Sequence, residues 1–374
     1  DDVPTTPCKG EIEELIESIR RSDPDIVWGY DDNRGKIHDR DNKLPYGMEM
    51  LATKVASTFA VTYPSIQEEW SRLSLIWAAS CSVFHLACRS FQIFRCISTS
   101  LDEPMLGNML ARLSSTIAND EPDHQTFSIE VLTTLKTLIS KLDPMNLLNF
   151  PQLFWTACAS LDTTNELEFV ELLAMLDELL MKLDLGNPKV IRILFDGQPR
   201  DWEGTFEGLQ PLVYKGMRSS NCLDKTLATI NKLVQIPSGD LVGNDNRLLF
   251  AVLANFPSFL QAMEQPNLDP AVAETANTLA LIADGQGCEG ITAVLSAFAS
   301  SRISSSEFLL QLVAALRDNF FPYWDFQTLK FLMGFLTNSI PWFKSQTMKL
   351  LCVIIPEIDM RNPEIAQHGP DMIS

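Results

Sequence analysis

The chain has 374 residues, 46% of them hydrophobic, and a formal net charge of −19. That length can bury a large core, as two or three domains or as one elongated repeat array. The charge argues against a nucleic-acid surface, where lysines and arginines must neutralise phosphates, and against broad contact with anionic lipid.

The first residue is Asp1 rather than Met, so the chain reads as a fragment of something longer, and no signal peptide is evident at its start. EIEELIESIRR (11–21) is a short amphipathic helix. Residues 22–45, SDPDIVWGYDDNRGKIHDRDNKLP, are polar, charged in both signs and punctuated by Gly and Pro. They read as a long loop whose only large anchors are Trp28 and Tyr30. The first segment is therefore taken as 1–45, an N-terminal helix and a partly flexible polar loop.

From residue 47 onward helical periodicity dominates and strand signals are almost absent. SIQEEWSRLSLIWAAS follows the break at Pro64, and CSVFHLACRSFQIFRCI follows a tight turn near Ser80–Ser82. Further helices are expected over 102–118, 123–142, 151–160, 164–184 and 187–195. DGQPRDWEGT (196–205) is a break that exposes Arg200 and Trp202. Helices resume over 206–218, 222–236, 246–264, 270–284, 288–300, 305–319, 323–338 and 342–355, and the prolines mostly mark helix starts or the residues just past an end. The tail from 362 is expected to fray. Taken in pairs, the helices repeat about every 35–45 residues, the period of HEAT or armadillo units. The expected fold is all-α, an α-solenoid of degenerate helix pairs over 46–361, with helices 83–97 and 326–336 on the inside. A non-repeating helical globule is the alternative.

Several stretches invite a chemical reading. Cys81, His85, Cys88, Gln92 and Cys96 are spaced by 4, 3, 4 and 4 residues, which spreads them along one helical stripe roughly 80° wide. From Cys81 to Cys96 that stripe runs roughly 22 Å, whereas zinc holds ligands at about 2.0–2.3 Å. A buried helix seam is expected, with no metal. Gly285, Gly287 and Gly290 satisfy G-x-G-x-x-G, but AVAETANTLALIA before them reads as helix rather than strand, and Asp284 and Glu289 stand where pyrophosphate would sit. A helix–turn–helix connection with Gly285 ending the first helix is expected instead, and no cofactor. DDNRGKIHDRD (31–41) resembles a calcium loop only faintly, since Lys36 replaces the turn glycine and Asn42 the bidentate Glu. Four histidines leave little material for acid–base catalysis, and no catalytic residue is assigned.

The eight cysteines, at 8, 81, 88, 96, 158, 222, 288 and 352, are too dispersed for a disulfide scaffold, so reduced thiols and a cytoplasmic protein are expected. The longest apolar run, roughly 75–88, falls short of the about 20 residues that span a bilayer. Two pairs remain as candidates for partner binding. Arg200 and Trp202 belong to types enriched at interaction hot spots, unless Trp202 packs back on its own helices. Arg89 and Arg95 sit among aromatics and need partners if buried. They are either a brace between helices, for instance to Glu68 or Glu69, or part of a groove for an acidic segment.

HLACRSFQIFRC (85–96), with WSRLSLIWAASCSVF, LDPMNLLNFPQLFWTACASLDTTNELEFVELLAMLDELL and NRLLFAVLANFPSFL, resembles the carboxy-terminal conserved region of Furry-type cell-morphogenesis proteins of the fungal branch. The resemblance covers roughly residues 60–355. It implies a segment of a very large, non-enzymatic, HEAT/armadillo-like scaffold. Such scaffolds act with NDR-type kinases and MOB coactivators at the cell cortex and sites of polarised growth. It carries over no catalytic or binding residue, and whether this segment holds the kinase, another partner or its own chain is left open. An intracellular adaptor of the same architecture, serving transport or trafficking, is the second reading, and a helical enzyme is the third.

Overall fold

The structure, a computed structural model, describes residues 9–21 and 46–363 apart from 99, 120, 238, 244, 245, 360 and 362. The polar loop at 22–45, its calcium-like stretch, and the tail beyond 363 lie outside the described residues. Among the described residues every regular element is helical. The chain divides into two compact units, Asp1–Lys182 and Leu183–Ser374.

The first unit holds α1 (Lys9–Arg21), α2 (Tyr46–Ala60), α3 (Ile66–Ser80), α4 (Phe84–Ile97), α5 (Glu103–Ser114), α6 (Pro122–Lys141), α7 (Pro144–Leu147), α8 (Gln152–Ser160) and α9 (Glu166–Lys182). The second holds α10 (Pro188–Asp196) and α11 (Leu209–Tyr214), which runs on as a 3-10 turn, Lys215–Arg218. It continues with α12 (Leu223–Leu233), α13 (Arg247–Met263), α14 (Pro270–Gly285), α15 (Glu289–Ala299), α16 (Ser305–Phe320), α17 (Asp325–Phe335) and α18 (Pro341–Ile354).

Local chemistry explains many of the boundaries. Asp102, Asp143, Asn187 and Asp269 each precede a proline by one or two residues, and each side chain accepts from a backbone N–H of the first turn at 2.8–3.0 Å. Ser304 and Glu307 form a reciprocal capping box at the start of α16. Two lysines reach from neighbouring helices to cap carboxy-terminal carbonyls. Lys141 Nζ donates to the Arg95 carbonyl at 2.6 Å, and Lys182 Nζ donates to the Ser140 carbonyl at 2.6 Å and to that of Leu142.

One local expectation is corrected. Residues 206–218 do not form one helix: Gly208 adopts φ +98°, so regular helix begins only at Leu209, and the last turn tightens to 3-10. Pro257 is an exception to the general placement of prolines near helix ends and stands inside α13. Its missing N–H leaves the Leu253 carbonyl without its helical donor, a defect of about 3 kcal/mol in an isolated helix, and packing against α12, α14, α16, α17 and α18 holds the helix together through it. Gly285 is the last residue of α14, as expected, and the left-handed residue of the turn that follows is Gly287 (φ +75°), two positions on. The Cys288 N–H closes that turn on the Ala283 carbonyl at 2.9 Å. Gly290 lies on α15 where a Cβ would meet the Ala315 Cβ at 3.3 Å, so close helix packing accounts for it.

In the first unit α6 packs between α4 and α9, and its polar side chains are placed to meet both. Glu168 on α9 is fully buried. Its carboxyl group accepts from Ser128 Oγ at 2.5 Å, Thr163 Oγ1 at 2.5 Å and the Ala118 N–H at 3.2 Å. One turn further along α9, Glu171 pairs with Lys136 at 2.6 Å and accepts from Thr133 Oγ1 at 3.1 Å. In the second unit α13 is the inner element, with thirteen of its seventeen residues buried. Phe256 and Phe259 pack with Phe298 and Phe308 at centroid distances of 4.9–6.2 Å.

Glu168→Ala removes the shared acceptor of buried Ser128, half-buried Thr163 and the Ala118 N–H and leaves a cavity between α6 and α9, where a buried group left unmet costs about 1–3 kcal/mol. The urea midpoint of the chain is expected to fall by the equivalent of about 3 kcal/mol, with Glu168→Gln intermediate; a loss under about 1 kcal/mol would show that the α6–α9 junction does not depend on this carboxyl group.

Candidate functional site

The α4 stretch HLACRSFQIFRC faces two ways. Ala87, Cys88, Phe91, Phe94, Arg95 and Ile97 are buried, while His85 and Leu86 face solvent. Among the described residues no three His, Cys, Asp or Glu side chains gather within reach of one metal ion. Burial, with the Glu49 carboxylate adding to it, pushes the Cys96 thiol up to about 11, which leaves little of the nucleophilic thiolate at neutral pH.

Arg95 is only 6% exposed and pairs with Glu130 of α6. Its Nη1 also donates to Thr134 Oγ1 at 3.0 Å and to the Glu130 carbonyl at 3.3 Å. The partner is thus Glu130 rather than Glu68 or Glu69. The latter two lie on the exposed face of α3, where Glu68 meets Arg72 and Glu69 accepts from Ser65. Arg89, half-buried one and a half turns earlier, donates to Gln92 Oε1 at 2.8 Å, and Gln92 in turn donates to Glu130 at 3.3 Å.

In the second unit Arg200 is exposed, and Trp202 is half-buried with its ring edge-on to Phe206 at 5.6 Å. On α3, Leu73, Ile76 and Trp77 are each more than half exposed. Their i, i+3, i+4 spacing is visible in LSLIW, but a helical stripe does not say which side faces inward.

One further site was not anticipated. In the second unit, α11 with its 3-10 turn, α13 and α17 surround a cleft of about 530 Å³. Its floor is aromatic: Tyr214, Phe250 and Phe331 stand 4.7–5.2 Å apart, and Phe335 meets Phe331 at 4.6 Å. Lys215, Arg218 and Lys330 stand on its rim with one acid, Glu207. Backbone pairing of Leu209 and Gln210 with Leu241 and Val242, at 2.8–3.0 Å, fixes one wall. Two glycines permit close approach. A Cβ on Gly243 would come within 2.7 Å of Gln210 Oε1, and one on Gly334 within 3.1 Å of Arg218 Nε.

Three polar atoms of this cleft are shut off from solvent and meet no hydrogen-bond partner among the described residues: Gln210 Oε1, the Tyr214 hydroxyl and Gln327 Oε1. Burial pushes the Tyr214 hydroxyl well above the usual phenol range, with Arg247 partly opposing it. The cleft draws on residues from 207 to 335, with no compact motif, so spacing alone could not assemble it. The only advance signal was the presence of Lys215, Arg218 and Lys330 beside aromatic helices in an acidic chain.

No helix among the described residues is long and apolar enough to cross a membrane. A family model described as "Cell morphogenesis C-terminal" matches residues 151–374. The chain is 37% identical over 370 residues to "Cell morphogenesis protein PAG1" of Saccharomyces cerevisiae, an alignment covering 98% of this chain and 15% of that protein. It is 28% identical over 346 residues to "Cell polarity protein mor2" of Schizosaccharomyces pombe, covering 91% of this chain and 16% of that protein. The chain therefore spans about a sixth of the length of the curated relatives it matches. No solved structure matches.

The Arg95–Glu130 brace is open to a double-mutant cycle. Arg95→Met leaves Glu130 without its cation and is expected to cost about 3–5 kcal/mol, while the double variant Arg95→Met/Glu130→Leu recovers most of that loss. Purely additive losses in urea unfolding would show that the two side chains do not brace α4 against α6.

Proposed function

The chain belongs to the Furry-type cell-morphogenesis family, within its carboxy-terminal region, and on that footing we propose that it is a non-enzymatic scaffold segment that binds protein partners in polarised growth. The observation that carries this reading is the match along 98% of the chain to a relative named for cell morphogenesis. A second relative, named for cell polarity, supports it. On this reading residues 46–361 form one helical-repeat array of HEAT/armadillo-like pairs, and the surfaces between helices serve as docking sites.

The partners proposed are an NDR-type kinase with its MOB coactivator, or other regions of the same long polypeptide, met at the cell cortex and growth sites. Arg200, exposed in the 197–208 loop, and Trp202 beside it are contact residues in this reading. Arg89 and Arg95 act within the fold, by holding α4 on α6.

The purified chain is expected to capture a purified NDR kinase–MOB complex in a pulldown, and Arg200→Glu is expected to weaken capture by about ten-fold, as loss of a hot-spot arginine does. Failure of the intact chain to capture the complex would remove the kinase role from this segment.

A further inference from the structure

The cleft between α11, α13 and α17 has features that point to a particular occupant. Its floor is a cluster of aromatic rings, and planar rings settle on such a surface edge-on or offset-stacked. A volume of about 530 Å³ is in the range that takes one large side chain with its flanking backbone, or a small ligand. The rim carries Lys215, Arg218 and Lys330 against the single acid Glu207, in a chain whose net charge is −19. Among the described residues neither Arg218 nor Lys330 forms an ion pair, although carboxylates outnumber cations in the chain as a whole.

The polar atoms narrow the choice. Gln210 is 4% exposed, and its Oε1, like Gln327 Oε1, is an acceptor that no group of the described residues serves. Buried acceptors of this kind nearly always meet a donor. An occupant that offers an N–H or O–H, met by a turn of either amide side chain toward the cleft, and that also suits an aromatic floor would satisfy one of them. An indole N–H and a phenol O–H do this, since each joins an apolar ring to a polar handle.

We propose that this cleft binds a segment of a partner protein in which a tryptophan or tyrosine is flanked by aspartates and glutamates. The ring settles on Tyr214, Phe250 and Phe331, its donor meets Gln210 or Gln327, and the flanking carboxylates reach Arg218 and Lys330. Charge complementarity selects the acidic flank, and the orphan acceptors favour tryptophan or tyrosine over phenylalanine. The inference deepens the scaffold reading and rests on it in taking the occupant as protein; it does not depend on the kinase.

The test uses the intact chain and fluorescein-labelled peptides read by anisotropy. The probes carry a central Trp flanked by Asp and Glu, with companions in which Trp becomes Phe or Ser, or the acids become Ser or Lys. Binding is expected for the acid-flanked Trp and Tyr peptides, about ten-fold weaker for Phe through loss of one buried hydrogen bond, and absent with Lys flanks. Arg218→Glu and Lys330→Glu lie at exposed positions and are expected to leave the far-ultraviolet circular dichroism unchanged while lowering affinity by more than ten-fold together. Gln210→Leu together with Gln327→Leu is expected to abolish the preference for Trp over Phe. No binding by any acid-flanked peptide, equal binding of Lys-flanked ones, or indifference to the double charge reversal would overturn the proposal. So would competition by inorganic phosphate or ATP at concentrations that match the peptide's affinity, since the cleft would then be a small-anion site. A chain that captures the kinase–MOB complex but no peptide loses this inference alone; one that binds the peptides but not the complex loses only the kinase role.

Discussion

The Glu168 carboxyl group has no exposed surface, and a carboxyl group taken out of water destabilises a fold unless its lone pairs find donors. In the first unit this requirement ties three helices to one geometry. Ser128, Thr133 and Lys136 on α6 meet Glu168 and Glu171 of α9, and Glu130 and Thr134 on α6 meet Arg95 of α4. Each residue step along a helix turns a side chain by about 100°. A slip of α6 by one residue would therefore strand donors and carboxyl groups on both sides. Apolar contacts supply the larger share of burial, with Phe91, Phe94, Phe127 and Leu172 at or near zero exposure, but apolar surfaces tolerate repacking that buried ionisable groups do not.

The second unit meets the same constraint with amides. Asn255, in the buried middle of α13, donates to Asn231 of α12 at 2.7 Å and back to its own helix at the Ala251 carbonyl. Asn338 donates to the Met217 carbonyl at 3.0 Å, and Gln346 of α18 donates to Gln261 of α13 at 3.0 Å. Thr226 Oγ1, Thr328 Oγ1 and Gln346 Oε1 are also buried without a partner among the described residues, but the cleft beside α11 gathers several such atoms in one place. Gln210, Tyr214 and Gln327 bring three orphan atoms to one aromatic pocket, where helices packed for stability alone would have placed apolar side chains or matched partners.

Much of the fold was legible because helical periodicity and start signals are local. Asn187-Pro188 and Asp269-Pro270 mark two helix starts within a residue of where they occur, while the short helix after Asp143-Pro144 was not expected. The stripe of Cys and His in α4 could be read as one helical seam from its spacing, and Gly285 could be read as the end of α14. The partner of Arg95 could not be read, because Glu68, Glu69 and Glu130 are equally good carboxylates in sequence and only the packing of α4 on α6 separates them. The inward face of 247–263 was hidden by its being apolar all round, and Pro257 inside it contradicted a rule that holds for helices without five neighbours. The cleft was illegible for the most basic reason: its residues are ordinary one by one, and only their meeting from Glu207 to Phe335 makes a site.

The central claim is that the cleft gathering Gln210, Tyr214 and Gln327 on an aromatic floor under Arg218 and Lys330 is where a partner completes this fold. Hydrogen–deuterium exchange of the intact chain, with and without a saturating acid-flanked tryptophan peptide, addresses it most directly. Slower exchange confined to 209–218 and 325–335, with the amides of α6 and α9 unchanged, is the expected result. Unchanged exchange at both segments under saturation, or protection centred elsewhere in the chain, would contradict it.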